Sequence, residues 1–316
     1  MNTEIDTFVR QGDRCPLCQS GALRSRIVLA HDSATPCTMA VLHCSACDLA
    51  WQWPPARDAE ESRRFFQASY AEGQEGTYFD KSVKREIASL ELEFLDAVRP
   101  AKGTLLDVGS GDGTLAELAF KDGWSVDAVD PAGPLRDETS AGGWLRLRNG
   151  TLADIDQNAR FDTITLWDVI EHVEKPLDLI ADCRHRLGPG GWLVIETGNF
   201  GSTARVTGGR TWWGFQLDHR WYFNPATLER LLRQAGFDEF RLCGRMLRPW
   251  GVTDGGYGGP SALLHLIAAL RSPWRIPGIL GDYRDLVSLG RRYPKTAGLE
   301  IFALAARIGS RECAGG

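Results

Sequence analysis

The chain has 316 residues, 43% of them hydrophobic and 24% charged, enough to build one large domain with a small companion. Its formal net charge of −5 argues against a dominant phosphate-binding surface, so a nucleic-acid partner is unlikely. The opening MNTEIDTFVRQGDR lacks the apolar core of a secretory signal, and no apolar run is long enough for a membrane span.

A cytoplasmic location follows as the expectation, with the eight cysteines as reduced thiols or metal ligands and not as disulfides. Five of the eight lie in residues 13–50. Cys15-Pro-Leu-Cys18 and Cys44-Ser-Ala-Cys47 are two C-x-x-C pairs with 25 residues between them. Two turns that each present a pair of thiolates make a tetrahedral site suited to structural Zn2+, and the intervening length suits a β-hairpin. The expected module is zinc-ribbon-like, with Cys37, His31 and His43 as less fitting alternative ligands. Such knuckles favour glycine after the second cysteine, where this chain has Gln19 and Asp48. Aspartate accepts a left-handed backbone more readily than glutamine does. The module holds three arginines, three aspartates and no lysine, which does not favour RNA.

Residues 51–100 read as a connector that begins with WQWPP and ends in a lead-in helix. Apolar positions Val83, Ile87, Leu90, Leu92 and Leu95 predict that helix over about Lys81–Val98. From Gly103 to about Arg245, short apolar runs alternate with helical stretches. TLLDVG, SVDAVD, FDTITLWD and GGWLVIET read as buried strands; Thr114–Lys121, Lys175–Leu187 and Pro225–Ala235 read as helices. Asn224, Pro225 and Gly236 supply the cap, the first position and the left-handed stop of the last helix. The predicted fold class is α/β, a mostly parallel sheet covered on both faces.

The most informative segment is Leu105-Leu106-Asp107-Val108-Gly109-Ser110-Gly111-Asp112-Gly113, which runs directly into a helix. A strand, a glycine turn and a helix form a cradle that a ligand can approach closely. The next strand ends in Asp130, placed to accept hydrogen bonds from ribose hydroxyls. The spacing is G-x-G-x-G, not the G-x-G-x-x-G of a pyrophosphate site. Asp107 and Asp112 would repel a phosphate and suit a cationic ligand without one. LLDVGSGDG resembles the first motif of class I S-adenosylmethionine methyltransferases. The resemblance implies a Rossmann-like sheet and S-adenosylmethionine as cofactor. It also implies that Gly109, Gly111 and Gly113 line the methionine and ribose portions, that Asp107 orders the loop, and that Asp130 holds the ribose. Leu152-Ala153-Asp154 falls where the family contacts adenine, and Trp167-Asp168 where it closes the other side.

FDTITLWDVIEHVEKP resembles the fourth strand and loop of the same superfamily, in the branch with quinone and small-molecule O-methyltransferases. Asp168, Glu171 and His172 then emerge at the carboxyl end of a strand, where open α/β sheets build their sites. Glu171 and His172 are candidates to orient substrate, bind a divalent metal or transfer a proton; a purely structural His172 is the alternative. Asp218-His219-Arg220-Trp221-Tyr222-Phe223-Asn224-Pro225 resembles a segment of this branch and of sugar C-methyltransferases. A hydroxyl nucleophile benefits from a base with a near-neutral pKa, and His219 is the first choice, against a structural role. Tyr222 is a candidate pocket wall, and Thr211–Phe215 a cover for the acceptor. Eleven tryptophans are many for this length, with core packing the commoner explanation.

FRLCGRML (240–247) and LEIFALAARI (299–308) read as two further strands. Between them an insert at about 248–297 carries DGGYGGP and two helix-like stretches. The expected organisation is a module at 13–50, a connector at 51–100, and a methyltransferase domain at 101–310 holding that insert. The expected reaction is S-adenosylmethionine-dependent methyl transfer to a small-molecule or glycan acceptor, O-methylation before C-methylation. The alternatives are a nicotinamide-dependent sugar oxidoreductase, an RNA methyltransferase and a non-catalytic zinc-containing binding protein. Oligomeric state is not legible in the sequence.

Overall fold

The computed structural model describes residues 14–20, 28–31, 38–53, 81–131, 133, 135–140, 143–208, 212–216, 218–245 and 299–309. The expected insert at 248–297, the connector at 54–80, Cys37 and the side chain of His31 lie outside the described residues. Two compact units form. One gathers residues 1–55, 198–228 and 244–302; the other gathers 56–197, 229–243 and 303–316.

The second unit carries the large sheet. Its strands are β4 (Thr104–Val108), β5 (Ser125–Asp130), β6 (Arg136–Ser140), β7 (Gly143–Asn149), β8 (Phe161–Trp167), β9 (Leu187–Gly198), β11 (Glu239–Arg245) and β12 (Ile301–Arg307). Their order across the sheet is β11-β12-β9-β8-β4-β5-β7-β6. The pairs β4–β5, β4–β8, β5–β7 and β8–β9 are parallel, and β6 runs antiparallel to β7. The helices are α1 (Lys81–Val98), α2 (Thr114–Lys121) and α3 (Pro176–Arg186). Central strands are buried on both faces, so they read as continuous apolar runs. Leu105, Val126, Ala128 and Val194 from the strands pack with Leu95 and Val98 of α1 and Ala116 and Ala119 of α2. Burying one such leucine or valine is worth about 2 kcal/mol. Trp124 and Trp192 are buried in the same core, as packing predicts for most tryptophans.

The first unit is built on a four-stranded sheet, β1 (Val28–His31), β2 (Thr38–His43), β3 (Ala50–Trp53) and β10 (Trp221–Tyr222), in that order. All its pairings are antiparallel, and β1 with β2 makes the hairpin between the two cysteine pairs. β10 comes from far along the chain: Trp221 pairs with Trp51 and Tyr222 with Ala50, while the Gln52 amide donates to the Arg220 carbonyl at 2.9 Å. Phe200, Trp212, Phe215 and Tyr222 cluster on Val41 and Ala50. Their rings meet mostly edge to face, the favoured aromatic geometry. Trp212 and Phe215, from the stretch expected to cover an acceptor, are buried in this core, while Thr211 lies outside the described residues.

The helix α5 (Pro225–Gln234) begins as its sequence signals require. Asn224 Oδ1 accepts from the Thr227 amide at 2.9 Å, and Thr227 Oγ1 accepts from the Asn224 amide at 2.8 Å, a reciprocal cap. Gly236 ends the helix region at φ 90°. α4 (Thr203–Gly208) is a short helix of the first unit.

Candidate active site

β4 delivers Asp107 and Val108 into the glycine turn, and α2 starts immediately after it. Gly109, Gly111 and Gly113 all have positive φ, at 78°, 55° and 81°. A Cβ on Gly109 would lie 2.3 Å from Val169 Cγ2, and one on Gly113 2.8 Å from Leu147 Cδ1. Gly111 differs: among the described residues a Cβ there would meet nothing within 4 Å, so they leave the space beside it open. That is the cradle a side chain would fill.

Two acids stand at the turn. The Gly111 amide donates to Asp130 Oδ2 at 3.0 Å, which ties the end of β5 to the loop. Asp107 is 2% exposed and accepts from Thr165 Oγ1 at 2.7 Å. Burial pushes the Asp107 carboxyl up to about 6; Thr165 opposes this and the Asp130 charge adds to it. The folded protein therefore holds its proton better than the unfolded chain does. The contribution of Asp107 to stability is fully present below about pH 4 and is lost, by about 3 kcal/mol, as pH rises through about 6. Asp107→Asn is expected to flatten that slope in urea unfolding followed from pH 4.5 to 7.5; an unchanged slope would contradict this burial effect.

Asp112 departs from expectation. Its Oδ1 accepts from the Thr114 amide at 3.1 Å and from Thr114 Oγ1 at 2.6 Å, and its Oδ2 pairs with Lys84 of α1 at 2.9 Å. Asp112 therefore starts α2 and anchors α1, and its charge is met by the protein.

Beyond β7, a single 3-10 turn spans Leu152–Asp154. Asp154 Oδ2 accepts from the Thr151 amide at 2.7 Å and from Thr151 Oγ1 at 3.1 Å, closing the turn from outside. Leu152 is buried beneath it and Ala153 is exposed. β8 is followed by Asp168, which is exposed and in the left-handed region at φ 51°, its amide donating to the Glu196 carbonyl at 3.2 Å. Glu171 is buried and His172 half-buried in the following turn, whose His172 amide donates to the Val169 carbonyl at 3.0 Å. So Asp107, the three glycines, Asp130, Leu152, Ala153, Asp168, Glu171 and His172 all belong to one unit, at or just beyond the carboxyl ends of its strands.

His219 belongs to the other unit, just before β10. It is 8% exposed, and its Nδ1 lies 2.9 Å from the Gly214 carbonyl oxygen. A carbonyl only accepts, so in this contact the hydrogen lies on Nδ1.

The four cysteines converge in that same unit. Cys15 and Cys47 sulfurs are 3.5 Å apart, those of Cys18 and Cys44 are 3.7 Å apart, and all four lie within 4.8 Å of one another. A tetrahedron with metal–sulfur bonds of about 2.3 Å has edges of about 3.8 Å, so the thiols fit structural zinc. The two knuckles repeat one geometry. Gln19 and Asp48 donate from their amides to Cys15 and Cys44 carbonyls at 2.9 and 2.8 Å. Both take the left-handed conformation, at φ 58° and 65°, so Gln19 adopts it as Asp48 does. His43 pairs with Asp48 at 3.3 Å and rests on Phe200, outside the sulfur cluster.

A parallel α/β sheet, a glycine turn at the end of its first core strand and an acid at the end of the next define a Rossmann-like class I methyltransferase. Residues 79–239, just over half of the chain, match the family model described as a methyltransferase domain. The chain belongs to this S-adenosylmethionine-dependent methyltransferase family. It is 34% identical over 191 residues to a protein of Cereibacter sphaeroides named ubiquinone biosynthesis O-methyltransferase, covering 54% of this chain and 77% of that one. A protein of the same name from Thiobacillus denitrificans is 27% identical over 213 residues, covering 61% and 88%. A SAM-dependent methyltransferase structure from Archaeoglobus fulgidus aligns at TM-score 0.46 and 15% identity, over 77% of this chain and 98% of that one. Family membership sets aside the nicotinamide-dependent oxidoreductase. Among the described residues no helix is long and apolar enough to cross a membrane.

Proposed function

We propose that the chain methylates a hydroxyl oxygen of a small-molecule acceptor, with a glycan hydroxyl as the second possibility. The observation that carries this reading is the glycine turn with open space beside Gly111 and Asp130 tied to its amide, a cradle for a methyl donor without phosphate. The names of the relatives support the choice of oxygen. Bound S-adenosylmethionine supplies the activated methyl group. There the acceptor oxygen would gain the methyl group as the donor's C–S bond breaks, and the acceptor proton would pass to His219 as general base. Asp130 holds the ribose, Asp107 orders the loop around the amino group, and Gly109, Gly111 and Gly113 let the backbone approach. Leu152 and Ala153 border the adenine, Asp168 closes its other side, and Glu171 and His172 orient the acceptor.

Cys15, Cys18, Cys44 and Cys47 hold one structural zinc ion, with no open position for catalysis. The cytoplasm, where thiols stay reduced, is the matching compartment. Transfer of labelled methyl groups to phenols, nucleotide sugars and RNA tests the acceptor class. Label on phenols or sugars supports it, and label on RNA alone overturns it. Metal analysis of the same preparation should find one zinc per chain, lost in Cys15→Ser/Cys44→Ser; a metal-free wild type would contradict the zinc assignment.

A further inference from the structure

Arg186, the last residue of α3, is 6% exposed. Burying a guanidinium costs several kcal/mol unless its donors are met, and a carboxylate is the usual partner. Among the described residues Arg186 makes no ion pair. Its partners are backbone carbonyls: Asp182 at 3.3 Å in its own helix, and Leu152 and Ile155, each at 3.4 Å from Nη2. Leu152 is the first residue of the 3-10 turn and Ile155 the one that follows it. The guanidinium therefore grips from inside the turn that the Thr151–Asp154 box closes from outside.

The grip has an electrical consequence. The Asp154 amide donates to the Thr151 carbonyl at 3.0 Å and the Ile155 amide to the Leu152 carbonyl at 3.2 Å. The Ala153 amide is one of the orphan donors at the start of the turn, on an exposed residue. It shares a peptide group with the Leu152 carbonyl that Arg186 holds. A cation on the oxygen of a peptide polarises it and strengthens its N–H as a donor, more so away from water.

We propose that Arg186 is a positioning residue for cofactor recognition, fixing the 152–155 turn and strengthening the Ala153 N–H as a donor to an adenine ring nitrogen. This rests on the reading of Leu152 and Ala153 as the adenine border. It concerns cofactor affinity, not the transfer step.

Calorimetry with S-adenosylhomocysteine and two analogues, carbon replacing adenine nitrogen 1 or nitrogen 3, tests it. Wild-type protein should bind one analogue about tenfold more weakly than the parent, the worth of one good hydrogen bond. Arg186→Met, which keeps the buried volume, should bind the parent about tenfold more weakly and lose the discrimination, with kcat at saturating cofactor unchanged. Arg186→Lys, which restores a buried cation, should recover part of the affinity. An Arg186→Met protein with a lower melting temperature but wild-type affinity and discrimination would overturn the inference while leaving the adenine border intact. Wild-type protein that binds all three ligands equally would overturn the adenine border, and the inference with it.

Discussion

Gly111→Asn is expected to weaken S-adenosylhomocysteine binding by about a hundredfold while the protein still folds. Gly111 is the informative glycine because its surroundings separate two effects. Gly109 and Gly113 could not take a side chain without moving Val169 or Leu147, so substitution there would damage the core as well as the site. At Gly111 none of the described residues outside its chain neighbours lies within 4 Å of a Cβ, and asparagine tolerates its φ of 55°. The unliganded fold should therefore lose little stability. The side chain would instead occupy the space assigned to the cofactor. Overpacking of that kind costs up to about 3 kcal/mol, or about a hundredfold in affinity. Calorimetry reads the affinity and thermal unfolding reads the fold. Wild-type affinity in this variant would show that the open space beside Gly111 is not where the ligand sits.

The second large effect is expected at His219. His219→Ala should lower kcat by about a hundredfold or more, the usual contribution of a general base, with cofactor affinity unchanged. Because His219 is buried, His219→Gln serves as a companion variant that keeps most of the volume. Both should fail to restore the rate while binding S-adenosylhomocysteine like wild type. A kcat within about threefold of wild type in either folded variant would return His219 to a structural role, held by Gly214 and packed near Tyr222.

What could be read from the sequence follows the range of the interactions involved. The four strands around the cofactor loop, and helices α1, α2 and α5, depend on local apolar runs and caps, and the structure places them within a residue or two at most ends. β7 was also legible in principle. Its GWLRLRN buries Leu145 and Leu147 while Arg146 and Arg148 stay partly exposed, a period of two within a stretch too short to stand out. β6, RDETS, offers no apolar signal, since it is an exposed, charged edge strand paired only with β7. The pairing of β10 with β3 joins residues about 170 apart in sequence, and no local pattern encodes such a meeting.

The site divides in the same way. The glycines and Asp130 carry their chemistry in their spacing. Asp112 looks like its neighbour Asp107 in the sequence, yet Thr114 and Lys84 claim it in the fold. Arg186 reads as an ordinary basic residue at the end of a helix, where it complements the helix dipole. Only its burial against the Leu152 and Ile155 carbonyls marks it out. The cysteine pairs were legible from spacing alone, and the sulfur distances match the tetrahedron that the spacing suggests.

The central claim is that the turn from Asp107 to Gly113, with Asp130, forms a site for S-adenosylmethionine and not for a phosphate-bearing cofactor. Titrating the purified wild-type protein with S-adenosylhomocysteine and, separately, with NAD tests it most directly. The expected result is saturable binding of one S-adenosylhomocysteine per chain and no heat with NAD. Binding of NAD without binding of S-adenosylhomocysteine would contradict it.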